Sequence, residues 1–214
     1  ALTLREFDPL EGFAADGTYA YATASGNGLM AGHSWPSFSD GLSSNYFTIA
    51  PTVSRLAGSD RYATAAAVAG GYAAGVPVVY VASGLDFPDA LAGAARAAYN
   101  GGPLLLTDPT SLPDATRAAM VSLAPGRVVV LCGEAAVSAG VAETLRQLTT
   151  SGGLQRVSGP DRYATAAALA SYYPVGGVAY VASGENFPDS LAGAALAGRD
   201  RAPLLLTTAT ALPQ

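Results

Sequence analysis

Val81-Ala82-Ser83-Gly84-Leu85-Asp86-Phe87-Pro88-Asp89-Ala90-Leu91-Ala92-Gly93-Ala94-Ala95 returns as Val181-Ala182-Ser183-Gly184-Glu185-Asn186-Phe187-Pro188-Asp189-Ser190-Leu191-Ala192-Gly193-Ala194-Ala195. Each copy reads as the end of an apolar strand, a short polar turn and an Ala-rich helix opened by proline. Asp60-Arg61-Tyr62-Ala63-Thr64 returns as Asp161-Arg162-Tyr163-Ala164-Thr165, and Pro103-Leu104-Leu105-Leu106-Thr107 as Pro203-Leu204-Leu205-Leu206-Thr207. The blocks recur in one order about 100 residues apart, a spacing the size of a small domain rather than of a solenoid turn.

Outward from these blocks the apolar runs and breakers alternate strictly. Arg55 to Gly58 reads as a short strand, and Ser59 or Asp60 as the cap of a helix to about Tyr72. Val78 to Ser83 is apolar throughout, as in a strand buried on both faces. Helices are expected from Phe87 to Tyr99, from Leu112 to Leu123 and from Ser138 to Leu148, with strands over 103–107 and 127–132 between them. This order implies an α/β fold, a parallel sheet with helices against its faces. Gly93 and Gly193 interrupt helices at a cost of roughly 1 kcal/mol each against Ala, which points to close packing at both positions.

Three segments follow: an irregular or β-containing N-terminal arm over 1–54, a first repeat over 55–153 and a second over 154–214. In the arm, Gly17 to Ala24 has the alternation of a strand, and Ser34 to Ser44 has no period. The second repeat, as far as it runs here, has no counterpart of the third helix, fourth strand and fourth helix of the first. Further repeats or a second copy of the chain are therefore the expected partners of its sheet edge.

Half of the 214 residues are hydrophobic and only 13% are charged, which provides for a large core. No apolar run approaches the roughly 18 residues of a membrane span. Ala1 to Glu6 has neither the basic region nor the apolar run of a signal peptide, as in a secreted protein whose signal has been removed. A net charge of −5 argues against general nucleic-acid binding. All eleven basic residues are Arg, a side chain suited to anions through its planar fork. The single cysteine, Cys132, reads as a small buried hydrophobe of a strand, and one cysteine leaves the redox compartment open.

Catalytic and metal constellations are thin. His33 is the one histidine, beside Trp35 in the irregular arm, so neither a Ser-His-Asp triad nor a zinc site is expected. Asp86 and Asp89 form a weak metal pair, broken by Asn186 in the second copy. No catalytic residue, metal or cofactor is assigned. Binding chemistry has better material. Ser83-Gly84 and Ser183-Gly184 lead into helix starts whose free N–H groups suit anions, at the strand ends where α/β folds take ligands. Arg61 with Tyr62, and Arg162 with Tyr163, offer a cation beside an aromatic ring for a sugar or an anionic polymer. Each of these residues also has a purely structural reading, as cap, internal pair or core tyrosine.

Arg55-x-x-Gly58-x-Asp60-Arg61-Tyr62-Ala63-Thr64-Ala65, the Ser-Gly-x-x-Phe-Pro-Asp turns, the Pro-Leu-Leu-Leu-Thr strands and Arg127-Val128-Val129-Val130-Leu131-Cys132-Gly133 together resemble the cell wall binding repeat 2 family. The likeness runs from Arg55 to Gln214. It implies tandem toprim-like (Rossmann-like) modules, usually three around a pseudo-threefold axis, in a secreted Gram-positive cell-surface or S-layer protein. It implies non-catalytic, non-covalent anchoring to an anionic cell-wall polysaccharide lying in grooves between modules near the aliphatic strands. The polymer-contacting residues expected here are Arg61, Tyr62, Ser83, Gly84, Asp89 and Leu105, with Arg162, Tyr163, Ser183, Gly184, Asp189 and Leu205. The Asp-x-Asp of catalytic toprim domains is absent from the sequence. A subunit of a self-assembling lattice or filament is the alternative reading, and a wall hydrolase with its chemistry outside the repeats is a third.

Overall fold

The strict alternation is present from Arg61 onward in the computed structural model, which describes residues 54–85, 88–211 and 213. In chain order the elements are α1 (Arg61–Ala69), β1 (Val78–Ser83), α2 (Pro88–Tyr99), β2 (Leu104–Thr107), α3 (Asp114–Leu123), β3 (Arg127–Val130), α4 (Ala139–Gln147), β4 (Gly153–Arg156), α5 (Arg162–Ala170), β5 (Tyr180–Ser183), α6 (Phe187–Arg199) and β6 (Leu204–Thr207). The readings made for residues 1–53, including the strand over Gly17–Ala24, His33 and Trp35, lie outside the described residues, as do Asp86 and Phe87.

Local chemistry sets the helix starts. The Asp60 carboxylate accepts from the Ala63 backbone N–H at 2.8 Å, and Thr64 Oγ1 accepts from the Gly58 N–H at 3.0 Å. Asp161 and Thr165 rebuild both bonds, to Ala164 and Gly159, at 2.8 and 3.0 Å. The Asp-Arg-Tyr-Ala-Thr motif is thus a reciprocal cap that satisfies donors inside and just before the helix. Ser138 caps α4 in the same manner, accepting from the Val141 N–H at 3.3 Å.

Four strands form one parallel sheet in the order β2-β1-β3-β4, and β5 pairs with β6, also parallel, in a second. Every residue of β1 is buried, as a central strand covered on both faces requires. One face of the first sheet, with Val79, Val81, Leu105, Val128 and Val130, packs under Met120 and Leu123 of α3 and Val141 and Leu145 of α4. The other, with Val78, Tyr80, Ala82, Val129 and Leu131, packs under Ala92 and Ala97 of α2 and Ala166 and Leu169 of α5. Gly93 lies so near that sheet that a Cβ there would stand 2.0 Å from Leu131 Cδ1, the close approach anticipated from its cost.

The expected strand over Arg55–Gly58 does not form; in the second repeat a strand, β4, ends at Arg156, the residue equivalent to Arg55. β4 pairs with β3, Arg127 opposite Gly153 through Val130 opposite Arg156, so the opening strand of the second repeat completes the sheet of the first. Arg55–Gly58 pairs with no strand among the described residues.

The repeats meet through helices as well. α2 packs against α5 and α6. The α2–α6 contact is built of small side chains, Ala95, Ala194 and Ala197 among them, and a Cβ on Gly198 would lie 2.8 Å from Ala98 Cβ. Leu56–Gln214 accordingly fall together as one compact unit. The far face of the second sheet is open: Val181 is 57% exposed where its equivalent Val81 is fully buried.

Candidate functional site

The Ser83-Gly84 turn sits where the sheet changes direction. From β1 the chain crosses by α2 on one face, and from β3 it crosses by α4 on the other, so the loops after β1 and β3 part at the carboxyl ends of two neighbouring strands. Such a switch point opens the crevice in which doubly wound sheets bind ligands. Ser83 Oγ accepts from the Leu85 N–H at 3.2 Å, and the Gly84 N–H donates to the Thr107 carbonyl at 2.8 Å, so the turn is pinned to itself and to β2.

Arg61 reaches this turn from the first position of α1, donating from Nη1 to the Gly84 carbonyl oxygen. In the second repeat Arg162 donates from Nη1 to the Gly184 carbonyl at 2.8 Å, Ser183 Oγ accepts from the Glu185 N–H at 3.2 Å, and Gly184 N–H donates to Thr207 at 2.8 Å. The tyrosines lie beneath: a Cβ on Gly84 would fall 2.4 Å from Tyr62 Cε1, and on Gly184 2.6 Å from Tyr163 Cε1. Glycine is required at both places because the ring occupies the space of a side chain. Each guanidinium gives one bond to the turn, and the fork carries five N–H donors.

The structure brings Arg61, Tyr62, Ser83 and Gly84 together, and Arg162, Tyr163, Ser183 and Gly184 together, as two assemblies of one build. They differ in setting. α1 packs on β2 and α3, away from the second repeat, while α5 packs on α2 and β6, at the seam. Arg61 is exposed, and Arg162 is half-buried. Asp89 and Asp189 each lie in the first turn of a helix, α2 and α6.

A family model described as cell wall binding domain 2 matches residues 55–142 and 156–214. The chain belongs to this family. CWB2 relatives include the N-acetylmuramoyl-L-alanine amidase LytC of Bacillus subtilis, 34% identical over 173 residues, 80% of this chain and 34% of that protein. The amidase enhancer of the same organism is 29% identical over 159 residues, 74% of this chain and 22% of that protein. Among solved structures, Cwp8 from Clostridium difficile superposes with a TM-score of 0.65 at 29% identity, over 72% of this chain and 27% of that one. Cwp6 from the same organism gives 0.64 at 24% identity, over 74% and 26%. The chain thus spans about a third or less of each protein it matches.

Within the CWB2 fold the aliphatic motif needs correction. Leu105 is 0% exposed, packed on the α3 side, and has no surface to offer a ligand. Side chains alternate along a strand, so Leu104 and Leu106 face the opposite side and join the cluster that also holds Leu206 of the second repeat. Leu205 points to the open face and is half-buried. The outer leucines of each triplet reach the seam, and the middle ones do not.

Arg156, the residue at which the second CWB2 match begins, was not among the expected site residues. Half-buried at the end of β4, it donates from Nη1 to the Cys132 carbonyl at 2.5 Å, beside the switch point. Its counterpart Arg55 heads the same motif in the first repeat, and that repetition was the available signal. Cys132 lies just past β3, 1% exposed, with burial pushing its thiol up to about 11. It is a packing residue.

Proposed function

We propose that the two repeats bind an anionic polysaccharide of the cell wall, without catalysis, and so hold the protein to which they belong at the cell surface. Membership in the CWB2 family supports the wall as target. The observation that carries the anionic preference is the repeated guanidinium, Arg61 and Arg162, fixed by the same bond beside the same strand end. Arg156 adds a third near the switch point of the first sheet. The outer leucines and Tyr163 at the seam supply apolar surface for sugar rings. The amidase activity that LytC's name carries belongs to a protein about three times as long as the matched part. We place catalysis outside these repeats, in the two thirds of that protein that this chain does not match.

Attraction to an anion runs against a net charge of −5, so it has to be local to these arginines. Co-sedimentation with purified walls at rising salt tests it. Retention should fall as salt rises and drop further in an Arg61→Gln, Arg162→Gln variant. Absence of retention at low salt overturns the reading, and retention indifferent to salt overturns its electrostatic part.

A second reading, self-assembly into a surface lattice, draws on the open apolar face of β5 and α6, where Val181 and Leu191 are 57% and 59% exposed. A monomer at every concentration in sedimentation velocity rules it out.

A further inference from the structure

At the opposite end of the strands from Ser83 lies a second concavity, about 110 Å³, lined by Tyr80, Arg96, Arg127, Val129, Gln155 and Tyr172 with Val157 and Leu169 at its base. Arg127 opens β3, and Arg96 lies in the last turn of α2. Helices return antiparallel to parallel strands, so this is the amino end of the sheet. Both repeats contribute, since Gln155 and Tyr172 belong to the second.

The polar lining consists almost wholly of donors. Arg127 Nη1 donates to Gln155 Oε1 at 3.3 Å, and Gln155 Nε2 donates to the Tyr172 hydroxyl oxygen at 2.9 Å, which leaves the Tyr172 proton to give. Arg96 is clamped between the rings of Tyr99 and Tyr173, 4.6 Å from each centroid, with Tyr172 at 5.8 Å. Its Nη1 is buried beside the Tyr173 hydroxyl, and neither atom makes a hydrogen bond of ordinary length and angle. A buried charged donor left unmet is costly, more so than the roughly 1–3 kcal/mol of a neutral one. No carboxylate lines the cavity, whereas Arg146 and Arg199 each have one. The second repeat has Leu196 at the place of Arg96, so the helix itself does not need a cation there.

The clamp has a further strut. Arg201 takes the left-handed conformation, φ 54°, where the first repeat has Gly101 at 65°. A non-glycine residue there is strained by about 1 kcal/mol or more. From it the guanidinium lies over the Tyr99 ring, 5.1 Å from its centroid, so Tyr99 meets two arginines.

We infer that this cavity is an oxyanion site, in which Arg96, Arg127 and the Tyr172 hydroxyl take one phosphate or carboxylate substituent of a wall polymer. The volume is enough for one such group beside its donors. Bonds from a guanidinium to an oxyanion are charge-assisted, about twice as strong as neutral ones. The oxyanion chemistry follows from the cavity alone, and its assignment to the polymer rests on the function proposed above.

The test is a titration of the full chain with sodium phosphate and, separately, sodium acetate, at ionic strength held constant with sodium chloride and followed by amide NMR. Saturable shifts gathered at Arg96, Arg127, Gln155 and Tyr172 are expected with at least one anion, and the stronger responder names the class. Arg96→Leu copies the residue at the equivalent helix position, and Arg127→Gln changes an exposed side chain. Each should weaken binding about tenfold, the worth of one charge-assisted bond. Scattered or unsaturable shifts, or unchanged affinity in the folded variants, overturn the site. If Arg127→Gln loses the anion yet keeps full wall retention, the polymer assignment falls and the site stands. If the parent protein is not retained by walls at all, the proposed function fails and the titration still decides the cavity.

Discussion

Arg162 donates to the carbonyl oxygen of Gly184 at 2.8 Å, across 22 residues, tying the first residue of α5 to the turn that ends β5. Arg61 and Gly84 are joined in the same way. The most strongly repeated stretch of the sequence is therefore first a joint between a helix start and a strand end. Its binding role is borne by the donors that the joint leaves over.

Removal of that joint should register as lost stability. Arg162→Met is expected to destabilise the protein by about 1–2 kcal/mol, because the Gly184 carbonyl loses a charged donor in a half-buried place. Urea unfolding should show a lower midpoint at unchanged slope.

Gly184→Ala tests the packing beneath the turn. The new Cβ would stand 2.6 Å from Tyr163 Cε1 and 3.2 Å from Leu206 Cβ. A loss of about 1–3 kcal/mol is expected from overpacking. In a Tyr163→Leu background the same change should cost measurably less, and a double-mutant cycle gives the coupling.

Cys132 offers a probe free of competitors, since it is the one cysteine. Its thiol, 1% exposed, should resist a colourimetric thiol reagent in the folded state and react fully in urea. Burial raises its pKa from 9.0 to about 11, so the folded protein holds this proton more tightly than the unfolded chain does. Its contribution to stability is present below 9 and is lost as pH rises from 9 towards 11. Cys132→Ala should flatten that part of the alkaline profile.

On the acid side, Arg146 and Gln147 hold the Glu143 carboxyl down at about 2 against an ordinary 4.5. The lowered value makes its contribution present above 4.5 and lost as pH falls from 4.5 towards 2. The pair with Arg146, at 2.6 Å, is exposed and one helical turn long, so salt should weaken it. Comparing wild type with Glu143→Gln between pH 6 and pH 3 at low and high salt checks both statements.

Much of this architecture was legible residue by residue. Val78 to Ser83, apolar throughout, announced a strand covered on both faces, and Ser59 or Asp60 announced a helix start. What escaped was anything decided by a partner. Arg55–Gly58 reads as a strand but has no strand beside it among the described residues, whereas Gly153–Arg156, which ends at the equivalent of Arg55, has β3. Leu104, Leu105 and Leu106 are one residue type in a row, and only the placement of α2 and α5 decides which of them turn to the seam. Arg96 differs from its equivalent Leu196, and the meaning of that difference depends on Tyr99 and Tyr173 closing around it.

The pairing of β4 with β3 has a mechanical side. Two modules held by side chains alone peel apart under a pull, one contact at a time. Here the second repeat lends its first strand to the sheet of the first, from Arg127 opposite Gly153 to the Val157 N–H on the Val130 carbonyl at 2.8 Å. A force drawing the repeats apart has to shear a ladder of backbone bonds together. A protein tethered outside a cell by such repeats would transmit drag along its own backbone, and the sequence boundary between copies would not be where it gives way.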